Sequence, residues 1–254
     1  MKISLIQTSL TWEDPQANRA NFERLINSIG QTDLILLPEM FATGFTMKPQ
    51  AVAETMDGET IAWMKEMAAA KDCAITGSLV IEENGRYYNR LVFVFPGGDI
   101  QTYDKRHLFT LAGEDKAYTA GTEKLIVEYK GWKICPLVCY DLRFPVFARN
   151  VEQYDLLLYV ANWPSPRVFA WDTLLKARAI ENMCYVAGLN RIGHDENGHA
   201  YPGHSQVLDC LGGIITDASG NEGVFTAVLD KESLLETRKK FGFLNDRDSF
   251  TLRD

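Results

Sequence analysis

Two segments restrict the folds open to this chain more than any other feature. DLILLPE (Asp33–Glu39) and DLLLYVAN (Asp155–Asn162) carry apolar residues at successive positions, with no polar alternation. Successive side chains of a strand point to opposite faces, so a strand that is apolar throughout must be covered on both sides. Neither run is long enough to span a bilayer. Between such strands lie stretches of helical spacing. Ala17–Ile29 repeats through Phe22, Leu25, Ile26 and Ile29, and Gly30 reads as its terminator. Thr60–Lys71 repeats through Ile61, Met64, Met67 and Ala68, and Val168–Met183 gives a further long helix. Strand–helix alternation of this kind predicts an α/β fold.

Antiparallel elements interrupt the alternation. Tyr87–Tyr103 reads as a hairpin turning at Pro96-Gly97-Gly98, and Lys124–Cys139 as a second turning at Lys130-Gly131. CAITGSLV, CYVAGLNR, SQVLDC, GGIITD and VFTAVLD supply further strands, Phe144–Val151 a short helix and Lys231–Phe241 a charged one. The last dozen residues read as a tail. The sheets are therefore mixed, and without repeats or linkers residues 1–254 read as one domain.

Charge and cysteine usage narrow the function classes. A formal charge of -8 without a Lys/Arg run argues against a nucleic-acid partner. Neither GxGxxG nor GxxxxGK[ST] occurs, which disfavours nucleotide binding. The N-terminal MKISLIQTSLTWEDP reads as a first strand, not a secretory signal, and no membrane segment is expected. The five cysteines form no CxxC pair, so a reducing cytoplasm is expected and a disulfide framework is not.

Three residues stand where a strand ends and a cleft can begin. Cys139 closes the apolar run of ICPLVCYDLRFP and is followed at once by Tyr140, Asp141 and Arg143. A strand-to-helix junction exposes the thiol and sets backbone N–H groups beside it, which favours a thiolate and can bind an oxyanion. Cys135, four residues earlier, is expected on the same face but among apolar neighbours, as a structural cysteine. Glu39 ends DLILLPE and leads into MFATGF, a loop too aromatic to be merely solvated. Lys105 ends a strand in TYDKRHLF. No histidine pairs evidently with a cysteine: His107 is a weak base candidate. His194, His199 and His204 fall in RIGHDENGHAYPGH, which reads as a solvated loop and matches no zinc spacing.

Together LLPEMF, YDKRHLF, LVCYDLRFP, VANWPSPR, LLKARAIENM and YVAGLNRIG resemble the nitrilase superfamily of carbon–nitrogen hydrolases, nearest its omega-amidase (2-oxoglutaramate amidase) branch. Met183 stands where that pattern expects Gln, and Cys135 is a second departure. The resemblance implies an α-β-β-α sandwich of two mixed sheets, pairing as a homodimer through helices, with Val168–Met183 in the contact. It implies a catalytic Glu39, Lys105 and Cys139, with no cofactor and no metal. Glu114 matches the family's second glutamate, with Asp115 as the fallback. The implied reaction is hydrolysis of a small-molecule keto-acid amide through a cysteine thioester, with the Tyr140 N–H as an oxyanion donor. Arg143, Arg167 and Arg191 are candidates for a substrate carboxylate, because Arg binds carboxylates in bidentate fashion. Phe41, Tyr140 and Trp163 would be the apolar walls. A nitrilase, an N-carbamoyl hydrolase or another small-amide amidase would keep the same three residues. A catalytically silent binding subunit is the rival of another class.

Overall fold

The structure is a computed structural model and describes residues 1–252. Strands β1 (Lys2–Gln7), β2 (Leu34–Leu36), β3 (Ala74–Glu83), β4 (Arg86–Val94) and β5 (Ile100–Asp104) form one sheet with β14 (Gly223–Val228). Its order is β14-β1-β2-β3-β4-β5, parallel from β1 to β3 and antiparallel elsewhere. The second sheet joins β6 (Val127–Tyr129), β7 (Trp132–Val138), β8 (Leu156–Ala161), β9 (Tyr185–Asn190), β12 (Gln206–Leu208) and β13 (Ile214–Asp217). Its order is β13-β12-β9-β8-β7-β6, again parallel at the centre from β7 to β9. A separate hairpin pairs β10 (Ile192–His194) with β11 (Ala200–Pro202).

The helices are α1 (Pro15–Ser28), α2 (Pro49–Val52), α3 (Glu59–Lys71), α4 (Glu114–Ala117), α5 (Pro145–Ala148), α6 (Val168–Asn182) and α7 (Lys231–Phe241). Asp14 starts α1 by accepting from Ala17 N at 2.9 Å, with Pro15 in the first turn, where a missing N–H costs nothing. The helix therefore begins two residues before the apolar pattern does. It ends at Ile29 in extended conformation, without Gly30 in the left-handed terminating role.

The double-faced strands do what their composition demands. Leu34 and Leu36 of β2 point into a core shared with Ile134, Leu156 and Val186 of the second sheet, while Ile35 and Leu37 join Phe22, Ile26, Ile61 and Met64 beneath α1 and α3. On the far side, Gly188 of β9 lies under α6, where an added Cβ would come within 2.5 Å of Leu175. The result is the expected four layers, α-β-β-α. Each fully buried Leu or Ile contributes about 1.5–3 kcal/mol.

Local differences have local causes. β3 does not end at Val80 but runs to Glu83 and returns as β4 through Asn84-Gly85, both at positive φ. That dipeptide favours a tight hairpin turn, but Glu82 and Glu83 disguise the end of the strand. The expected helix Phe144–Val151 shrinks to α5, preceded by a 3-10 turn over Cys139–Arg143. In the tail a 3-10 turn spans Phe243–Asp246, and residues 253–254 lie outside the described residues. Among the described residues no helix is long and apolar enough to cross a membrane.

Candidate active site

Four chain segments from both sheets bring their polar ends together. After β2, Leu37 N still donates to Thr76 O of β3 at 2.7 Å, and Pro38 leads to Glu39, which is fully buried. Met40 then adopts φ +43° and its N–H donates to Ser78 Oγ at 2.8 Å, turning the chain away from the sheet. From the second sheet, Asn162, just beyond β8, holds Glu39. Its backbone N–H donates to Glu39 Oε2 at 2.8 Å and its Nδ2 to Glu39 O at 2.7 Å.

Lys105 follows β5, its N–H donating to Asn89 O of β4 at 3.0 Å. Its Nζ donates to Glu39 Oε1 at 2.8 Å and to both Glu114 oxygens, at 3.0 and 2.9 Å. Glu114 opens α4 after Gly113, whose φ of +78° turns the chain inward, and Phe109 N donates to its Oε2 at 2.6 Å. Asn89 Nδ2 bridges the two carboxylates, at 2.8 Å from Glu39 and 3.1 Å from Glu114. Asp115, the fallback, is exposed.

Cys139 stands directly after β7 at φ +44°, in the left-handed region that costs a residue with a Cβ about 1–2 kcal/mol. That reversal breaks strand alternation, so the shared face expected for Cys135 and Cys139 does not persist. Cys135 is fully buried in the inter-sheet core, whereas Cys139 reaches the cavity. Glu39 is the charged group that acts most strongly on the Cys139 thiol.

Electrostatics follow from two carboxylates and one ammonium, all buried. Burial acts against the charged form of Lys105, but Glu114 and Glu39 outweigh it and hold the ammonium above its ordinary pKa. Burial, aided by Glu39, raises the Glu114 pKa despite Lys105 and the Phe109 N–H. Burial and then Glu39 raise the Cys139 thiol well above its ordinary value, with Lys105 pulling the other way. Burial and the neighbouring carboxylate thus favour the neutral thiol over the thiolate at rest.

A cavity of about 310 Å³ opens above the cluster, with Lys105, Cys139 and Asn162 in its wall. Tyr140 and Trp163 line it, as do Arg143, stacked 4.9 Å from the Trp163 ring, and Arg167, stacked 5.1 Å from the Phe109 ring. Neither arginine is paired with a carboxylate among the described residues. Phe41 is a correction: it packs against Phe22 and Trp63 under α1 and α3, and the MFATGF aromatic in the cavity wall is Phe45. The φ reversal at Met40 redirects the loop, which spacing alone does not disclose. Arg191 is also no wall residue. Its guanidinium is buried and donates to Leu10 O and His194 O. Arg143 does not pair with Asp141, which is occupied by Tyr103, His107 and Val138 N.

The solvated-loop reading of RIGHDENGHAYPGH also needs correction. β10 and β11 form a hairpin there, and Asp195, Asn197, His199 and Tyr201 line the cavity. Two functional residues lie outside the expected set, Asn89 and Asn162, although Asn162 also stands at the end of an all-apolar strand. Asn89 had a fainter signal, a polar residue where β4 turns buried.

The family pattern described as carbon-nitrogen hydrolase matches residues 2–239. The chain is 49% identical to an omega-amidase YafV of Yersinia enterocolitica, over 99% of this chain and 98% of that one. It is 32% identical to a 2-oxoglutaramate amidase of Bacillus subtilis (strain 168), over 96% of each. Among solved structures, a CN-hydrolase superfamily protein of Xanthomonas campestris with an arsenic adduct in its active site superposes with a TM-score of 0.98. It is 47% identical, over 100% of this chain and 99% of that one.

Proposed function

The chain belongs to the carbon–nitrogen hydrolase family, and from that premise we propose how it works as an omega-amidase: Cys139 attacks the terminal amide of a small keto-acid amide such as 2-oxoglutaramate. The observation that carries this reading is the buried Glu39–Lys105–Glu114 cluster set against Cys139 at a cavity walled by two carboxylate-free arginines.

Glu39, the carboxylate that acts most strongly on the thiol, takes its proton as sulfur attacks the amide carbonyl. The carbonyl oxygen becomes an oxyanion received by Lys105 Nζ and the backbone N–H of Tyr140. Lys105 holds Glu114 through both oxygens, so one N–H can turn to the oxyanion while the others keep the two carboxylates. Glu39 passes its proton to the departing nitrogen, ammonia leaves and a thioester remains. A water that loses its proton to Glu39 then attacks the thioester, restoring the thiol and releasing the keto-dicarboxylate. Glu114 keeps Lys105 in place and accepts from the substrate amide. Arg143 and Arg167 take the substrate's carboxylate end, and Tyr140 and Trp163 form the flat walls.

Residues 1–254 act as one domain in this reading, supported by the match over 2–239 and by a core shared between the sheets. The protein works in the cytoplasm, where its five free cysteines remain reduced, and has no nucleic-acid partner. It pairs as a homodimer through α6, whose outer face presents Phe169 and Ile180, with Leu211 and Gly212 beside them.

Ammonia release from 2-oxoglutaramate tests the reading. The wild type is expected to release it, Cys139→Ala to fall to background, and Arg167→Ala to raise KM about tenfold or more with a smaller change in kcat. Release by Cys139→Ala, or turnover of simple nitriles or carbamoyl amines alone, would sink it.

A further inference from the structure

Two groups of hydrogen bonds tie this site across the sandwich. One is the Asn162–Glu39 contact described above. The other lies on the opposite flank, around Asp141, which is fully buried two residues past Cys139. Asp141 Oδ2 accepts from Tyr103 OH at 2.8 Å and from Val138 N at 3.0 Å. Its Oδ1 accepts from His107 N at 3.1 Å and lies 2.7 Å from His107 Nδ1. A carboxylate already accepting three N–H or O–H bonds cannot donate to the ring, so Nδ1 carries the proton. The imidazole is pinned further by stacking on Phe144, at 3.7 Å and 4°.

The positions of these partners give the network its meaning. Tyr103 and His107 stand two residues before and two after Lys105; Val138 and Asp141 bracket Cys139. β5, which carries Lys105, is an edge strand of the first sheet, and β7, which carries Cys139, belongs to the second. No strand pairing joins them, so no ladder fixes the ammonium relative to the sulfur. Cys139 is also held at φ +44°, a conformation that persists only where neighbours enforce it.

We propose that His107 is a positioning residue, acting through Asp141 to lock the Lys105 strand end to the Cys139 turn and so set the ammonium–sulfur geometry. This rests on the reading that Cys139 and Lys105 are the reacting pair. Neither His107 nor Asp141 lines the cavity, so their effect reaches the substrate only through these two residues. His107 serves as a donor that bridges two sheets, not as a base.

The test compares wild type with His107→Ala, His107→Asn and Asp141→Asn in two assays. The first is kcat and KM for ammonia release from 2-oxoglutaramate. The second is the pH dependence of Cys139 alkylation by iodoacetamide, with Cys139→Ala as the blank. Lys105 is the group that pulls the thiol pKa down, against Glu39 and Glu114. A slackened lock therefore moves the alkylation midpoint to higher pH. His107→Ala is expected to lose about ten- to a hundredfold in kcat, with KM within about twofold, and to show that upward shift. His107→Asn, whose amide nitrogen can replace Nδ1, restores most of both. Asp141→Asn, which sets an amide N–H against donors, matches or exceeds the loss. An unmoved midpoint in His107→Ala overturns the proposal, as does full kcat in that variant or no recovery in His107→Asn. Wild type without ammonia release, or Cys139→Ala with it, is instead a failure of the amidase reading, and the alkylation profile still decides the lock.

Discussion

Lys105 shows how much one side chain carries at this site. Its ammonium bonds both Glu39 and Glu114, and all three are buried. Its pKa is raised, so the stability it contributes is present below the ordinary lysine value of 10.5 and is lost only as pH climbs through the raised one. Lys105→Met leaves two facing carboxylates without a cation and is expected to cost about 3–5 kcal/mol near neutral pH. It also removes the group that lowers the Glu114 pKa, which then rises further above 4.5. The folded variant would bind a proton that its unfolded chain has released. Its stability therefore falls as pH rises through that folded pKa and recovers on acidification. Urea unfolding should show a larger deficit against wild type at pH 8 than at pH 5. An equal deficit at both would mean the carboxylates do not feel each other. Glu39 and Cys139 were legible because a polar group directly after a buried strand is conspicuous, whereas Lys105 follows the half-exposed edge strand β5 and stood out only through the family resemblance. Phe41 and Phe45 were not separable, since four residues in one loop share a composition and the φ at Met40 decides which ring faces the cavity.

At the scale of elements, the position of Glu39 depends on how closely its segment crosses β3. A Cβ added at Gly77 would lie 2.8 Å from Leu37 Cβ and 3.0 Å from Phe41 Cδ1. Gly77→Ala must therefore push the Leu37–Phe41 segment, and Glu39 with it. A stability loss of about 1–3 kcal/mol is expected, with kcat falling more than KM rises. Thermal unfolding and steady-state kinetics on the one variant check both, and unchanged kcat would show that Glu39 is held independently of β3. The helices and apolar strands were readable from periodicity because burial enforces it. The Asn84-Gly85 hairpin and the β10–β11 hairpin were not, since both are built of polar and glycine-rich sequence whose form depends on what it packs against.

At the scale of the whole molecule, the proposed pairing face is the outer side of α6. Phe169 is 82% exposed and Ile180 52%, and Leu211, beside Ile180, is 53% exposed. Apolar residues gathered on one exposed face support the proposed pairing there. Ile180→Asp places a charge at the centre of that face and is expected to give monomers in sedimentation velocity at concentrations where wild type is dimeric. If both variant and wild type sediment as dimers, the pairing face lies elsewhere. If both are monomers, the face serves another contact.

The sequence by itself determined the helices, the doubly buried strands and the ends at which Glu39 and Cys139 stand, because apolar periodicity and a polar group after a buried strand are local properties; the layer order and the role of Lys105 came from the family resemblance. Only the tertiary structure decided which of Glu114 and Asp115 reaches Lys105, which aromatic and which arginines wall the cavity, and that Asn89 and Asn162 bond Glu39 while His107 bonds Asp141. Those assignments depend on bonds between residues far apart in the chain, across sheets whose register no short segment encodes. A hydrogen bond such as Asn162 to Glu39 spans 123 residues. Its geometry exists only once both sheets have packed.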